Sequence, residues 1–145
     1  MVEEWLLNNI RGKVLLDEAL AHHTTFGIGG RCRVMVVPAD EEDICRALSF
    51  AAKFNMPWTI IGNGSNLLVS DVGFRGLVIK LGEGFAHIDC CGNCLVCGAA
   101  VLLPKIARYA LGVGLSGVEF AAGIPASLGG AIIMNAGTLQ STIGD

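Results

Sequence analysis

The stretch Trp58 to Asp71, W-T-I-I-G-N-G-S-N-L-L-V-S-D, constrains this chain more than any other. Trp58 to Ile61 has strand character and runs straight into Gly62-Asn63-Gly64-Ser65-Asn66, after which comes a second apolar run, Leu67 to Val69. Two glycines one residue apart let the main chain enter left-handed conformations and leave no Cβ between its N–H groups and a ligand. Ser65 and Asn66 add side-chain donors at the same place. Successive N–H groups turned toward one point form an anion nest, which suits a phosphate even without a lysine. The same residue types also make ordinary strand-end turns, so the loop has to be judged by its surroundings.

Those surroundings form a strand-helix-strand unit. Arg33 to Val37 reads as a strand closed by Pro38. Asp40 is a good helix N-cap, and Asp43 stands three residues on, at the capping-box position, although that box prefers Glu or Gln. Ile44, Ala47, Leu48 and Ala51 recur at helical spacing, which predicts an amphipathic helix over Glu41 to Phe54, stopped by Asn55 and Pro57. The glycine loop then follows the second strand of the unit, a usual place for a binding loop.

Upstream, Trp5 to Ile10 predicts a short helix and Val14 to Leu16 a short apolar piece. The segment Thr24-Thr25-Phe26-Gly27-Ile28-Gly29-Gly30 offers hydroxyl donors and another close backbone approach. Downstream, Asp71 to Gly76 reads as a turn and Leu77 to Leu81 as a strand. His87 to Cys91 and Cys94 to Ala99 form a hairpin whose Gly92-Asn93 loop suits a type II′ turn. Leu102 to Leu111 predicts a helix, with Pro104 early and Gly112 as its stop. From Leu115 onward the chain is glycine-rich, with one β-like run at Ala131 to Met134. Mixed α+β architecture follows.

Composition removes several function classes. Only 16% of the residues are charged, against about 25% in typical soluble domains, which suggests apolar surface meant to be covered. A net charge of −3 and a pI of about 5.5 give no electrostatic footprint for nucleic acid. The N-terminus has acids where a signal peptide has a basic region. Phe120 to Gly144 carries no charge, yet Pro125, several glycines and polar Ser127, Asn135 and Gln140 argue for a buried loop and strand instead of a membrane span. A soluble, cytoplasmic protein is expected.

Other motifs dissolve on inspection. Cys91, Cys94 and Cys97 have C-x2-C-x2-C spacing, but Val101 and Leu102 stand where an iron–sulfur run continues with Cys and Pro. In the hairpin, alternation puts Cys90 and Cys97 on one face and Cys91 and Cys94 on the other, so four thiols do not converge on one metal; buried apolar cysteines are expected, with no metal site. Gly112 to Gly117 satisfies G-x-G-x-x-G but follows a helix and has no acid about 20 residues on. No nucleophile, base and orienting acid stand at readable spacing. Binding loops are present and a catalytic set is not.

Three segments in fixed order resemble one family. They are Thr24 to Gly30; Gly62 to Asp71 with Gly73-Phe74-Arg75-Gly76-Leu77-Val78-Ile79; and Leu115-Ser116-Gly117-Val118-Glu119-Phe120 leading to Gly123-Ile124-Pro125-Ala126-Ser127-Leu128-Gly129-Gly130-Ala131 and Met134-Asn135-Ala136-Gly137. Together they look like the N-terminal part of the UDP-N-acetylenolpyruvoylglucosamine reductase (UDP-N-acetylmuramate dehydrogenase) family. The resemblance implies an FAD-binding domain of the p-cresol methylhydroxylase/vanillyl-alcohol-oxidase type over residues 21–145, after an N-terminal extension over 1–20. That domain consists of two α+β subdomains with FAD between them. It implies that Ile61, Gly62, Asn63, Gly64, Ser65, Asn66 and Leu67 hold the pyrophosphate, and that Gly123, Ile124, Pro125, Ala126, Ser127, Gly129, Gly130 and Ala131 line the flavin. The implied reaction passes hydride from NADPH through FAD to the enolpyruvyl group of a UDP-sugar, for peptidoglycan synthesis; the cofactor carries the chemistry.

Asn63 and Ala126 depart from glycine in the family pattern, and Thr138-Leu139-Gln140 replaces Ala-Tyr-Gly. The family's catalytic arginine, proton donor and glutamate match no position up to Asp145, so no catalytic residue is expected here and a C-terminal substrate domain is missing, leaving the chain inactive alone. The alternatives are another flavin oxidoreductase of the same fold, or a non-enzymatic metal- or nucleotide-binding module.

Overall fold

The structure, a computed structural model, describes residues 3–144. The chain divides into two compact units, residues 1–84 and 85–145.

The first unit is a four-stranded sheet with helices on one face. Its elements are α1 (Glu4–Asn9), β1 (Lys13–Ala19), β2 (Arg31–Val37), α2 (Glu41–Lys53), β3 (Trp58–Ile61) and β4 (Phe74–Lys80), in sheet order β1-β2-β4-β3. β1 runs antiparallel to β2, while β2, β4 and β3 are mutually parallel. The expected strand-helix-strand unit is present, but β4 inserts between its two strands. Leu77, Val78 and Ile79 are fully buried, as a central strand covered on both faces requires; this is why β4 reads as an unbroken apolar run.

Alternation along β2 and β4 separates two cores. Val34, Val36, Leu77 and Ile79 face α2, where they meet Ala47, Phe50 and Ala51 together with Leu6 of α1. The Trp5 ring stacks on Phe50 with centroids 5.9 Å apart. Met35, Val78 and Ile61 face the other way and pack with Leu20, Leu67 and Val69, so the loops form the second covering layer.

α2 starts where its cap predicts: Asp40 accepts the Asp43 amide at 3.1 Å. Asp43 does something the sequence did not announce. Its side chain is fully buried and accepts the amides of Arg11 (3.0 Å), Gly12 (2.8 Å) and Ala39 (3.0 Å), tying the start of the chain to the start of the helix. The Arg11 guanidinium reaches Asp40 at 2.7 Å and Glu42 at 2.6 Å across the same surface. Lys13–Ala19, placed by sequence in an extension, is the edge strand β1, and Leu20 after it is buried.

The second unit holds a hairpin, β5 (Ile88–Cys91) and β6 (Cys94–Cys97), then α3 (Leu103–Gly112) and α4 (Leu128–Ile133). The hairpin has the expected register, Cys91 opposite Cys94 and Cys90 opposite Leu95, with Gly92 at φ +60 in the turn. Val101, Leu103, Ile106, Ala121 and Ala131 make its core. Two expectations are corrected. Cys90, Cys91 and Cys94 are exposed and only Cys97 is partly covered, because the tip of the hairpin projects beyond the core that Leu95 and Cys97 touch. The run Ala131 to Met134 is not a strand. It falls in and just after α4, whose turns close through Ala131 N–H to Ser127 O at 2.8 Å and Met134 N–H to Gly130 O at 3.1 Å. Two adjacent isoleucines gave the run β character, yet no neighbouring strand offers it a ladder, and only Ala131 of the helix is fully buried.

No helix among the described residues is long and apolar enough to cross a membrane. The uncharged C-terminal region accounts for much of the exposed apolar surface: Ile132, Ile133, Met134 and Leu139 all face solvent.

Candidate functional site

The Gly62–Asn66 loop leaves the carboxyl end of β3, beside the carboxyl end of its parallel neighbour β4. The register pairs Ile61, the residue before the loop, with Lys80, the last residue of β4. Ile61 is buried among the second core and anchors the entry to the loop; Leu67 packs on the same core and anchors its exit. Between these anchors, Gly62, Gly64 and Ser65 are partly covered, and Asn63 and Asn66 are exposed.

Only Gly64 of the two loop glycines takes a left-handed conformation, at φ +70. A Cβ built there would lie 2.0 Å from the His23 carbonyl oxygen and 3.1 Å from the Thr24 Cα. The Gly64 carbonyl accepts the Thr25 amide at 3.1 Å. Farther along, the Gly30 amide donates to the Ser70 carbonyl at 2.9 Å, so the segments from Thr24 and from Gly62 are joined at both ends. Asn63, at a position where the sequence resemblance favours glycine, avoids the left-handed region, as does Ala126.

A polar chain lies next to this joint. His23 Nε2 is 2.9 Å from Glu18 Oε1, and His23 Nδ1 is 2.8 Å from Lys80 Nζ. An ammonium has only donors, so Nδ1 accepts from Lys80 and Nε2 carries the proton that goes to Glu18. The hydrogen bond from His23 holds the Glu18 carboxyl below its ordinary range, and His22, 3.5 Å away, adds to it. Burial pulls the Lys80 ammonium down, against the attraction of Glu18. Sequence reasoning passed over these residues. In sequence His23 only precedes the glycine-rich segment that starts at Thr24, and Lys80 becomes visible only once β3 and β4 are in register.

The second group of sequence-predicted residues lies in the other unit. Gly123 ends a 3-10 turn (Glu119–Gly123), Ile124 to Ser127 run extended, and Gly129, Gly130 and Ala131 are in α4. Ser127 and Ala131 are buried; Gly123 and Pro125 are exposed. The first amides of α4 are already used inside the unit: Leu128 N–H donates to Val101 O at 2.7 Å and Gly129 N–H to Ala99 O at 2.8 Å. These bonds clamp the Gly-Ile-Pro segment against the residues that precede α3, where Leu103 N–H donates to Ala126 O at 2.9 Å.

Comparison with known proteins shows which family the chain belongs to. The family model described as "FAD binding domain" matches residues 32–144. The chain belongs to the FAD binding domain family. As a member of this FAD binding domain family it has FAD as its cofactor, and its α+β units agree with that fold. Among curated relatives, UDP-N-acetylenolpyruvoylglucosamine reductase of Desulforamulus reducens is 48% identical over 136 residues, covering 94% of this chain and 45% of that protein. The enzyme of the same name from Bacillus subtilis is 46% identical over 134 residues, covering 92% of this chain and 44% of that protein. The crystal structure of UDP-N-acetylenolpyruvylglucosamine reductase from Thermus caldophilus matches with a TM-score of 0.76 at 38% identity, over 94% of this chain and 46% of that one. The resemblance read from the ordered motifs is therefore sound, and the chain spans a little under half the length of these relatives.

The loop of the first unit has features that suit a diphosphate. Its loop keeps Gly64 where any side chain would collide with backbone, exposes Asn63 and Asn66, and stands at the carboxyl ends of two parallel strands.

Proposed function

We propose that this FAD binding domain serves an NADPH-dependent reductase that converts the enolpyruvyl ether of UDP-N-acetylglucosamine to UDP-N-acetylmuramate, in peptidoglycan synthesis. Ile61 to Leu67 hold the pyrophosphate, and Gly123 to Ala131, with Gly129 and Gly130 in α4, line the flavin. Bound FAD supplies hydride acceptance and donation. The chain's own work is grip and orientation. Ile61 and Leu67 pin the two ends of the loop on apolar packing, Gly64 turns it, and the amide of Thr25 fixes it to the neighbouring segment. The substrate-binding and proton-donating groups of the reaction are assigned to residues other than those described here, in keeping with the share of the relatives that the chain spans. A cytoplasmic setting goes with that reading.

The observation that carries the proposal is the loop at Gly64, packed against the His23 carbonyl at the end of the parallel strands. Titration of the purified chain with FAD, followed by flavin fluorescence and absorbance, is expected to show saturable binding of one FAD at micromolar concentration. Absence of binding by a folded chain overturns it as a standalone cofactor grip.

A further inference from the structure

Lys80 is an unusual lysine. It ends a central strand and is partly buried, yet its single hydrogen-bond partner among the described residues is the neutral acceptor Nδ1 of His23. One of three ammonium donors is used. Among the described residues no carboxylate touches it: Glu18 is on the far side of the imidazole, at His23 Nε2. A lysine retained for structure alone would be expected to meet a carboxylate directly or to run its head out to solvent. Here the lysine is partly buried and its counter-charge is one ring away, an arrangement that an anion on the side away from the ring would complete.

The position of that side is set by two contacts. In sheet register Lys80 is opposite Ile61, so its Cα is beside the residue that opens into Gly62. His23 links the same two features: its ring binds Lys80, and its carbonyl packs against Gly64. We propose that Lys80 is the cation that meets the pyrophosphate of FAD at the Gly62–Asn66 loop, with His23 and Glu18 as the positioning residues that aim it. This rests on the reading that the loop holds the pyrophosphate, and it adds a charged donor to what the sequence presents as a nest without a lysine. The charges around Lys80 are compatible with this role. His23 is a neutral acceptor, Glu18 contacts the ring and not the ammonium, and exposed His22 lies beyond Glu18.

The test is titration of the 145-residue chain with FAD and with riboflavin, which has the same ring system and no phosphate. Lys80→Met is expected to weaken FAD binding about tenfold or more and to leave riboflavin binding unchanged, with Lys80→Arg recovering most of the loss. FAD affinity of the wild-type chain should also fall more steeply with added KCl than that of Lys80→Met. A Lys80→Met chain that binds FAD as tightly as wild type overturns the assignment while the loop reading stands. Equal loss of FAD and riboflavin overturns it too, since the effect would then not lie at the phosphates. Failure of the wild-type chain to bind either flavin overturns the loop reading, and the Lys80 assignment with it.

Discussion

Gly64→Val is expected to lower FAD affinity by at least about tenfold, or about 1.4 kcal/mol, in a chain that still folds. Two effects add. A β-branched residue at φ +70 is a backbone outlier, and the left-handed region costs an L-residue about 1–2 kcal/mol. The larger effect is collision, because the new Cβ would lie 2.0 Å from the His23 carbonyl oxygen. Backbone cannot rotate away as a flexible side chain would, so the loop must lift from the Thr24 segment, and the bond from Thr25 N–H to Gly64 O is lost with it. Gly27→Ala is the control. Gly27 is left-handed at φ +65 but its Cβ would meet nothing within 4 Å. It should therefore cost about 1 kcal/mol of stability and leave FAD affinity nearly unchanged. If Gly64→Val binds FAD as wild type does, the cradle assignment fails.

The second large effect concerns stability. Asp43→Ala is expected to cost about 3–5 kcal/mol in urea unfolding, from three hydrogen bonds to a charged acceptor, a large part of the 5–15 kcal/mol that typically holds a domain together. The substitution leaves the part-buried amides of Arg11, Gly12 and Ala39 without their acceptor, and each lost hydrogen bond to a charged group costs about 1.5–3 kcal/mol, less where water can replace it. The two guanidinium contacts, 3.9 Å from Arg11 and 3.8 Å from Arg46, matter less, since they are long and those side chains are 53% and 34% exposed. Burial alone would raise the Asp43 carboxyl, but the three amides and Arg11 outweigh it and hold it below its ordinary value of 3.8. The sign follows. A carboxyl depressed in the folded state contributes stability fully above 3.8 and loses it as the pH falls through the folded-state value. Urea midpoints from neutral to strongly acid pH should therefore fall for wild type with a component absent from Asp43→Asn. A cost under about 1 kcal/mol for Asp43→Ala would mean that the amides find other acceptors.

Local features were legible in the sequence, and features made by distant pairing were not. The α2 helix was readable because its cap at Asp40, its apolar spacing and its stop at Pro57 all lie within one stretch. The β5–β6 hairpin was readable in detail for the same reason, down to Cys91 facing Cys94. β1 was missed because K-V-L-L-D-E-A has no clean alternation; as an edge strand with one face only partly covered it needs none. α4 was misread because two isoleucines suggested a strand where only the pattern of amide partners makes a helix. The cysteines were expected inside because cysteine is commonly buried, but a hairpin tip beyond its core has nothing to bury them.

The candidate site divides along the same line. The glycine loop was found from composition and spacing. Its neighbours were not, since Lys80 meets His23 across 57 residues, just as, elsewhere in the unit, Asp43 meets Arg11 across 32. No short-range pattern encodes such pairs; they are products of register and topology.

The insertion of β4 between β2 and β3 also fixes an order of assembly. The middle strand of the parallel set is the last of the four to leave the ribosome. Until residue 80 is available, β2 and β3 have no ladder to share and Ile61 has no fixed neighbour, so the loop after it has no defined shape. Closing long loops of chain before these contacts form makes such pairing slow. The loop proposed to grip the pyrophosphate is accordingly one of the last parts of the first unit to mature, and a nascent chain that stops before β4 would have the glycine motif without the packing that shapes it.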